Sequence, residues 1–176
     1  MEKKINFTIR QTRPSDYSTV YDLIETAFRT AEHRDGTEQD FAVGLRNGGN
    51  YIPELDLVAE LDGKLIGHIM FTKTCVVRPD DSKYNTLLVA PLSVLLEYRK
   101  LHVGSALMQE GLRLAAGMGY QTAFLIGDPD YYQRFGFRLS HLKGINHESL
   151  PAEYVMACEM VPDALDGVTG RIAIYL

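Results

Sequence analysis

The chain has 176 residues, 45% of them hydrophobic and 23% charged, which is enough for one well-packed α/β domain and too apolar for disorder to be its main state. Its formal net charge of −5 argues against a non-specific nucleic-acid binder, because neutralising phosphates takes clustered Lys and Arg, and it suits a cationic partner such as an amine. The start, MEKKINFTIR, has no long apolar segment and no cleavage-like site, so no signal peptide is expected. The longest apolar run, Leu87 to Leu96, is too short for a bilayer and contains Pro91 and Ser93. Cys75 and Cys158 lie far apart without a CxxC pattern, so reduced thiols in a cytoplasmic protein are expected.

Phe7 to Gln11 alternates as a first strand. Pro14 sits where a first helical turn accepts it. Tyr17, Val20, Tyr21, Ile24, Ala27 and Phe28 follow at steps of three and four, which predicts a helix with one buried face. A second helix is predicted from Thr37, with Asp40 as its capping partner, and RNGGN ends it. Leu55 to Leu61, the turn Asp62-Gly63, and Lys64 to Thr74 predict a hairpin. PDDSK, residues 79 to 83, is a turn, and Tyr84 to Leu96 is the next strand.

A helix is predicted from Val103, buried through Val103, Leu107, Gly111, Leu114, Ala115 and Met118 and ended by Gly117 and Gly119. Thr122 to Ile126 is continuously apolar, as a strand buried on both faces should be. Asp128-Pro129 opens a short helix carrying Tyr131, Tyr132 and Phe135, with Asp128 as N-cap, and Gly136 stops it. Tyr154 to Met160 and Arg171 to Leu176 are closing strands. No linker splits the chain, so a single domain over residues 1–176 is expected. Its order is β-α-α-β-β-β-α-β-α-β-β, with one strand–helix–strand crossover in a mainly antiparallel set.

The stretch LSVLLEYRKLHVGSALMQE, residues 92 to 110, runs from an apolar strand through a basic turn into a helix of small residues. A helix N-terminus presents unpaired amides and partial positive charge, so a turn ahead of it makes an anion cradle. Arg99 and Lys100 add charge, and Gly104 and Ser105 keep the first turn uncrowded. Pro91 in the preceding strand predicts an edge position or a bulge, which would leave backbone groups near Leu92, Ser93 and Val94 free for an extended ligand. An extended amide arm carrying a diphosphate describes coenzyme A. An ordinary surface turn fits the same spacing.

The same residues, Leu92 through Arg99, Lys100, Leu101, His102, Val103, Gly104 and Ser105 to Leu107, resemble the cofactor motif of the GNAT acyl-CoA N-acyltransferase superfamily. That motif runs as an apolar strand, Pro-Glu-Tyr, then Arg/Gln-x-x-Gly-x-Gly/Ala and a helix. Gly127 to Phe137, GDPDYYQRFGF, is similar to a signature of the YhbS-like bacterial branch, and PAEYVMACEM, residues 151 to 160, is a weaker match. His102 stands where the family has its first Gly, and Leu96 where it commonly has Pro. His102 is either a tolerated substitution, since His accepts positive φ better than most residues, or a block to the cofactor.

The resemblance implies an α/β (α+β) GNAT fold, a single mixed and mainly antiparallel sheet with helices on both faces and a central β-α-β acyl-CoA-binding unit. It implies an acetyl-CoA-dependent N-acetyltransferase. Leu92, Ser93, Val94, residues 99 to 105, Asp128 and Tyr132 would bind the cofactor, the amide near Val94 would hold the oxyanion, and Tyr132 would protonate the departing thiolate. Tyr132 packing beside Phe135 is the structural alternative. Candidate bases are His68 and Glu60. The five histidines, His33, His68, His102, His141 and His147, show no metal-ligand spacing, so no metal is expected. In this fold substrate selection falls to Ala31 to Gly36, where Glu32 and Asp35 are candidate partners for a cationic amine, and to Ser140 to Ser149. The acceptor is a small-molecule or peptide amine, with no nucleic acid and no membrane, and the protein is a monomer or homodimer. A non-catalytic acyl-CoA-binding or regulatory module on the same fold is the competing expectation, and a nucleotide-binding domain using the same turn is a third.

Overall fold

A computed structural model of the chain describes residues 4–31 and 34–174. Glu32, His33 and the last two positions of the predicted strand Arg171 to Leu176 lie outside them. The chain divides into two compact units, Met1–Phe71 with Ala90–Leu114, and Thr72–Val89 with Ala115–Leu176. Among the described residues, nine strands form a mixed, mainly antiparallel sheet.

The first unit opens with β1 (Thr8–Gln11), a short 3₁₀ turn at Pro14–Asp16, α1 (Tyr17–Phe28) and α2 (Glu38–Asn47). Strands β2 (Tyr51–Leu61) and β3 (Lys64–Val77) follow as the Asp62-Gly63 hairpin, and then comes β4 (Lys83–Val94). Both turn residues have positive φ, 48° and 80°, which Asp and Gly tolerate. Strand order is β1-β2-β3-β4, with β1 antiparallel to β2 from Thr8↔Glu60 to Gln11↔Leu57. The apolar stripe of α1 does what its spacing predicts. Val20, Leu23 and Ile24 join Ala42 of α2 against Val58, Leu65 and Met70 of the hairpin. Each fully buried Val, Leu or Ile there contributes roughly 1.5–3 kcal/mol relative to exposure.

The second unit takes the earlier part of β4 into parallel register with β5 (Thr122–Ile126), pairing Leu87↔Ala123 and Leu88↔Phe124. α3 (Val103–Gly117) lies between these strands in sequence, which makes the predicted crossover. After β5 come α4 (Pro129–Tyr132), β6 (Phe137–Leu139), β7 (Ile145–Asn146), β8 (Val155–Glu159) and β9 (Gly170–Ile172). β8 pairs antiparallel with β5 and β6, while β9 pairs with the end of β3 and with β7. Residues 122 to 125 of β5 are buried, as a strand covered on both faces requires.

Several expectations are corrected. The Thr37–Asp40 capping pair does not form. Asp35 Oδ1 accepts from Thr37 N and Oγ1 (2.7 and 2.6 Å), and Glu38 Oε1 accepts from Asp35 N (2.9 Å), so the reciprocal box begins two residues earlier. Asp40 instead accepts from Tyr21 on α1. Met118 is exposed, because α3 ends at Gly117 and Met118 lies in the turn beyond it, while Met108 within α3 is buried. Leu96 lies outside β4, in a 3₁₀ turn at Leu96–Tyr98, and is exposed. Pro91 follows a cis Ala90–Pro91 bond in a strand that has neighbours on both sides, β3 and β5; its register with β5 runs through Leu87 and Leu88, before the proline. β6 and β7 went unpredicted, being too short to show a period.

Candidate active site

In the first unit the turn between β4 and α3 is built by left-handed backbone. Lys100 has φ 62° and His102 φ 63°. His102 therefore occupies the conformation a Gly would supply, which answers why the chain tolerates a side chain there. The first bond of α3 runs from Ala106 N to His102 O (3.0 Å). The amides of Val103, Gly104 and Ser105 consequently have no acceptor within the helix and form its electropositive end.

Arg99 is engaged within the protein. Its Nε donates to Val94 O (3.1 Å), and its two terminal nitrogens donate to Ala27 O (2.6 Å) and Thr30 Oγ1 (2.9 Å). It ties the end of β4 to the end of α1, where carbonyls lack helical partners, and contributes only its charge to the turn. Lys100 is exposed. Lys64 pairs with Glu97 (3.1 Å) and lies over the Tyr98 ring, steadying the preceding 3₁₀ turn.

Gly67 of β3 allows α3 to sit close. A Cβ there would stand 2.9 Å from Leu107 Cδ1, 3.0 Å from Val103 Cγ1 and 3.3 Å from Ser93 O. Leu92 and Val94 are half-buried on β4, and Leu95 N donates to Ile66 O (3.0 Å), keeping the strand end on β3. Ser93 is buried, and its Oγ has no hydrogen-bond partner.

His68 and Glu60 fall in this same unit but do different work. Glu60 accepts from Arg10 of β1 (2.7 Å), whose guanidinium also grips Asp16. His68 is fully buried on β3, with Nε2 2.7 Å from Asp56 Oδ1. Asp56 also accepts from Thr12 Oγ1 (2.7 Å), Arg46 Nε (2.9 Å) and Tyr51 OH (2.9 Å). Burial pushes the Asp56 carboxyl up, but the hydrogen bonds from His68 and Arg46 and the Arg46 charge outweigh it and hold the group well below the usual carboxylate range. Burial and the Asp56 charge push the Tyr51 phenol up. The sequence reading missed Asp56, Arg46, Tyr51 and Thr12. Its one visible sign was a lone carboxylate inside the apolar run LDLVA.

The second unit holds Asp128 and Tyr132. Asp128 is the N-cap its sequence predicts, with Oδ1 accepting from Asp130 N (2.9 Å). The short helix runs on through a 3₁₀ turn, Gln133–Phe135, and ends at Gly136 with φ 90°. Tyr132 does not pack beside Phe135. Its ring lies on the bare face of Gly127 and meets Tyr131 and Phe137 edge-on, with centroids 4.9 and 6.2 Å away, while Tyr131 takes the contact with Phe135. Burial, with smaller contributions from Tyr131 and Asp128, pushes the Tyr132 phenol up, so it stays protonated at neutral pH.

Among the described residues no group of three or more His, Cys, Asp or Glu is placed to hold a metal ion, and no helix is long and apolar enough to cross a membrane.

Comparison with known proteins agrees with this architecture. Residues 8–140 match the family model for the acetyltransferase (GNAT) domain. The uncharacterized N-acetyltransferase YjhQ of Escherichia coli K12 is 35% identical over 132 residues, covering 75% of this chain and 70% of YjhQ. Among solved structures, the Escherichia coli GNAT family N-acetyltransferase YhbS in complex with CoA has a TM-score of 0.84 at 27% identity, covering 99% of this chain and 93% of that one. A GNAT family acetyltransferase from Brucella melitensis in complex with acetyl-CoA has a TM-score of 0.79 at 27% identity, covering 97% and 96%. A strand that ends in an amide-rich turn, and a half-buried tyrosine on a GDPxYYxRFGF helix, thus sit in a chain that belongs to the GNAT family of acetyltransferases.

Proposed function

We propose that the chain is an acetyl-CoA-dependent N-acetyltransferase acting on a primary amine, and that residues 1–176 form one such domain. The observation that carries this reading is the turn at residues 99 to 105. Two left-handed residues and a helix start put several backbone amides there without helical acceptors. Such a cradle fits a diphosphate, and the orphaned, buried Ser93 hydroxyl on the adjoining strand is a polar group awaiting a ligand. The family match through residues 8–140 and the relatives solved with CoA and acetyl-CoA support the same cofactor.

Bound acetyl-CoA would supply an activated acyl carbonyl and a thiolate leaving group. Amides of residues 101 to 105, with the charges of Arg99 and Lys100, hold its anionic part. Backbone groups of Leu92, Ser93 and Val94 hold its extended arm, and the Val94 amide stabilises negative charge developing on the carbonyl oxygen. Tyr132, a phenol protonated at neutral pH, is proposed as the donor to the thiolate on the resemblance of its GDPDYYQRFGF segment to the family signature. His68 receives the amine's proton in preference to Glu60, whose carboxylate is engaged by Arg10. Asp128 acts as the cap that holds the Tyr132 helix. The regulatory-module alternative draws on His102 and on the lack of an obvious base; the His102 φ of 63° weighs against the first ground, because that backbone is the one a Gly would supply.

The test is calorimetry with acetyl-CoA followed by thiol release across a panel of amines. Micromolar binding, turnover with at least one amine, and a fall in turnover without loss of binding in Tyr132→Phe are expected. Preference for ATP or NAD over acetyl-CoA would overturn the reading.

A further inference from the structure

The Asp56 cluster asks for a purpose beyond packing. One carboxylate, fully buried, gathers donors from four places: Thr12 after β1, Arg46 on α2, Tyr51 at the start of β2 and His68 on β3. Each oxygen accepts two bonds. Thr12 and His68 share Oδ1, and Arg46 and Tyr51 share Oδ2. An ionised carboxylate accepts and cannot donate, so the 2.7 Å contact to His68 requires the hydrogen on Nε2. In the neutral ring His68 Nδ1 is then the lone-pair nitrogen, and it is buried with no partner.

A buried acceptor without a donor is costly to maintain, and native structures keep few of them. His68 follows Gly67 on β3, where the backbone of Ser93 on β4 approaches, so it lies one residue from the strand segment assigned above to the acyl arm. Strand alternation points it to the face opposite the α3 contacts of Gly67, where Arg46 of α2 meets Asp56.

The geometry points to Asp56 as a positioning residue for acyl transfer: it fixes His68 as the Nε2–H tautomer, so that Nδ1 is the atom that takes the acceptor amine's proton. This rests on the acetyltransferase reading and on His68 as its base. The balance is complete. The amine N–H bond breaks and an Nδ1–H bond forms. The nitrogen's electron pair makes the new C–N bond as the thioester C–S bond breaks, and the sulfur leaves as thiolate with that bond's electron pair. The imidazolium so formed is held by the Asp56 carboxylate through Nε2–H, the arrangement in which an aspartate orients a histidine base. Arg46, which Asp56 also holds, keeps the carboxylate from turning away.

Two measurements test this on the full-length protein. Nitrogen-15 NMR of the imidazole, with His68 assigned through His68→Gln, should show a neutral Nε2–H ring in the wild type, with or without turnover. An Nδ1–H ring would overturn the proposal whatever the activity. In kinetics, Asp56→Asn should lower kcat by ~100-fold or more, since it removes the charge that holds the ring. Tyr51→Phe and Thr12→Val are milder changes that leave the fold less disturbed. Each removes one donor from Asp56, so the carboxylate holds imidazolium more strongly and the acid limb of kcat/KM moves to higher pH. A purely structural cluster would lower the folded fraction without moving that limb, and unmoved limbs in both variants would overturn the assignment. Retention of the wild-type rate by His68→Gln would do so as well. The correct tautomer in a wild type that turns over no amine would instead overturn the acetyltransferase reading.

Discussion

Gly127→Ala isolates what holds Tyr132 in place. The glycine's own backbone is not in the left-handed region, so alanine costs nothing there by conformation. The new methyl is another matter. It would lie 2.2 Å from Tyr132 Cε2 and 2.7 Å from Cδ2, where ordinary contact begins at 3.4 Å. The ring must retreat by 3.4 − 2.2 = 1.2 Å, against Tyr131 and Phe137 on its other sides. Overpacking of this kind costs about 1–3 kcal/mol. At roughly 2–4 °C per kcal/mol for a chain of this size, Tm should fall by roughly 2–12 °C. If Tyr132 is the proton donor proposed above, a displacement of about 1 Å lowers rate by up to ~100-fold. Differential scanning fluorimetry and thiol release should therefore show a lower Tm and a lower kcat, with acetyl-CoA affinity little changed. Tyr132→Ala in the same chain removes the clash, so the double variant should be no less stable than Tyr132→Ala alone. A Gly127→Ala protein with wild-type Tm and kcat would refute the anchoring of Tyr132 on the glycine face.

Three further outcomes follow from the same structure. His102→Gly should bind acetyl-CoA at least as tightly as wild type by calorimetry, because glycine adopts φ 63° freely and the amide is unchanged; weaker binding would show that the imidazole itself contacts the ligand. Asp128→Ala should lose about 1 kcal/mol of stability through the missing cap, seen as a lower urea midpoint, while acetyl-CoA affinity stays near wild type. The Asp56 carboxyl titrates lower in the folded chain than in the unfolded one, so its contribution to stability is whole above the unfolded value of about 3.9 and is lost as pH falls through the folded value. Urea midpoints from pH 6 to pH 2 should therefore drop below about pH 4, and Asp56→Asn should flatten that drop while lowering stability at neutral pH.

Much of the fold was legible because it depends on local periodicity. The stripe at Val20 and Ile24, the Asp62-Gly63 turn and the unbroken apolar run of β5 each specify an element within a few neighbouring residues. The amide-rich turn at residues 99 to 105 was legible for the same reason. Its basic residues, its small residues and the helix start after it are contiguous, and His102 differs from the family pattern at a position where the backbone angle, and not the side chain, carries the requirement.

What only the tertiary structure decided is which polar groups meet. Asp56 and His68 are twelve residues apart, and Arg99 reaches residues about seventy positions earlier. No local pattern encodes those pairings. Folding forces them, because a charge or imidazole taken from water into a core must find its partner wherever the chain brings one. The sequence alone determined the helices, the longer strands and the amide-rich turn. Burial determined that Arg99 is a tie between α1 and β4, that Tyr132 rests on Gly127, and that one aspartate gathers four donors, among them a histidine whose second nitrogen has no hydrogen-bond partner.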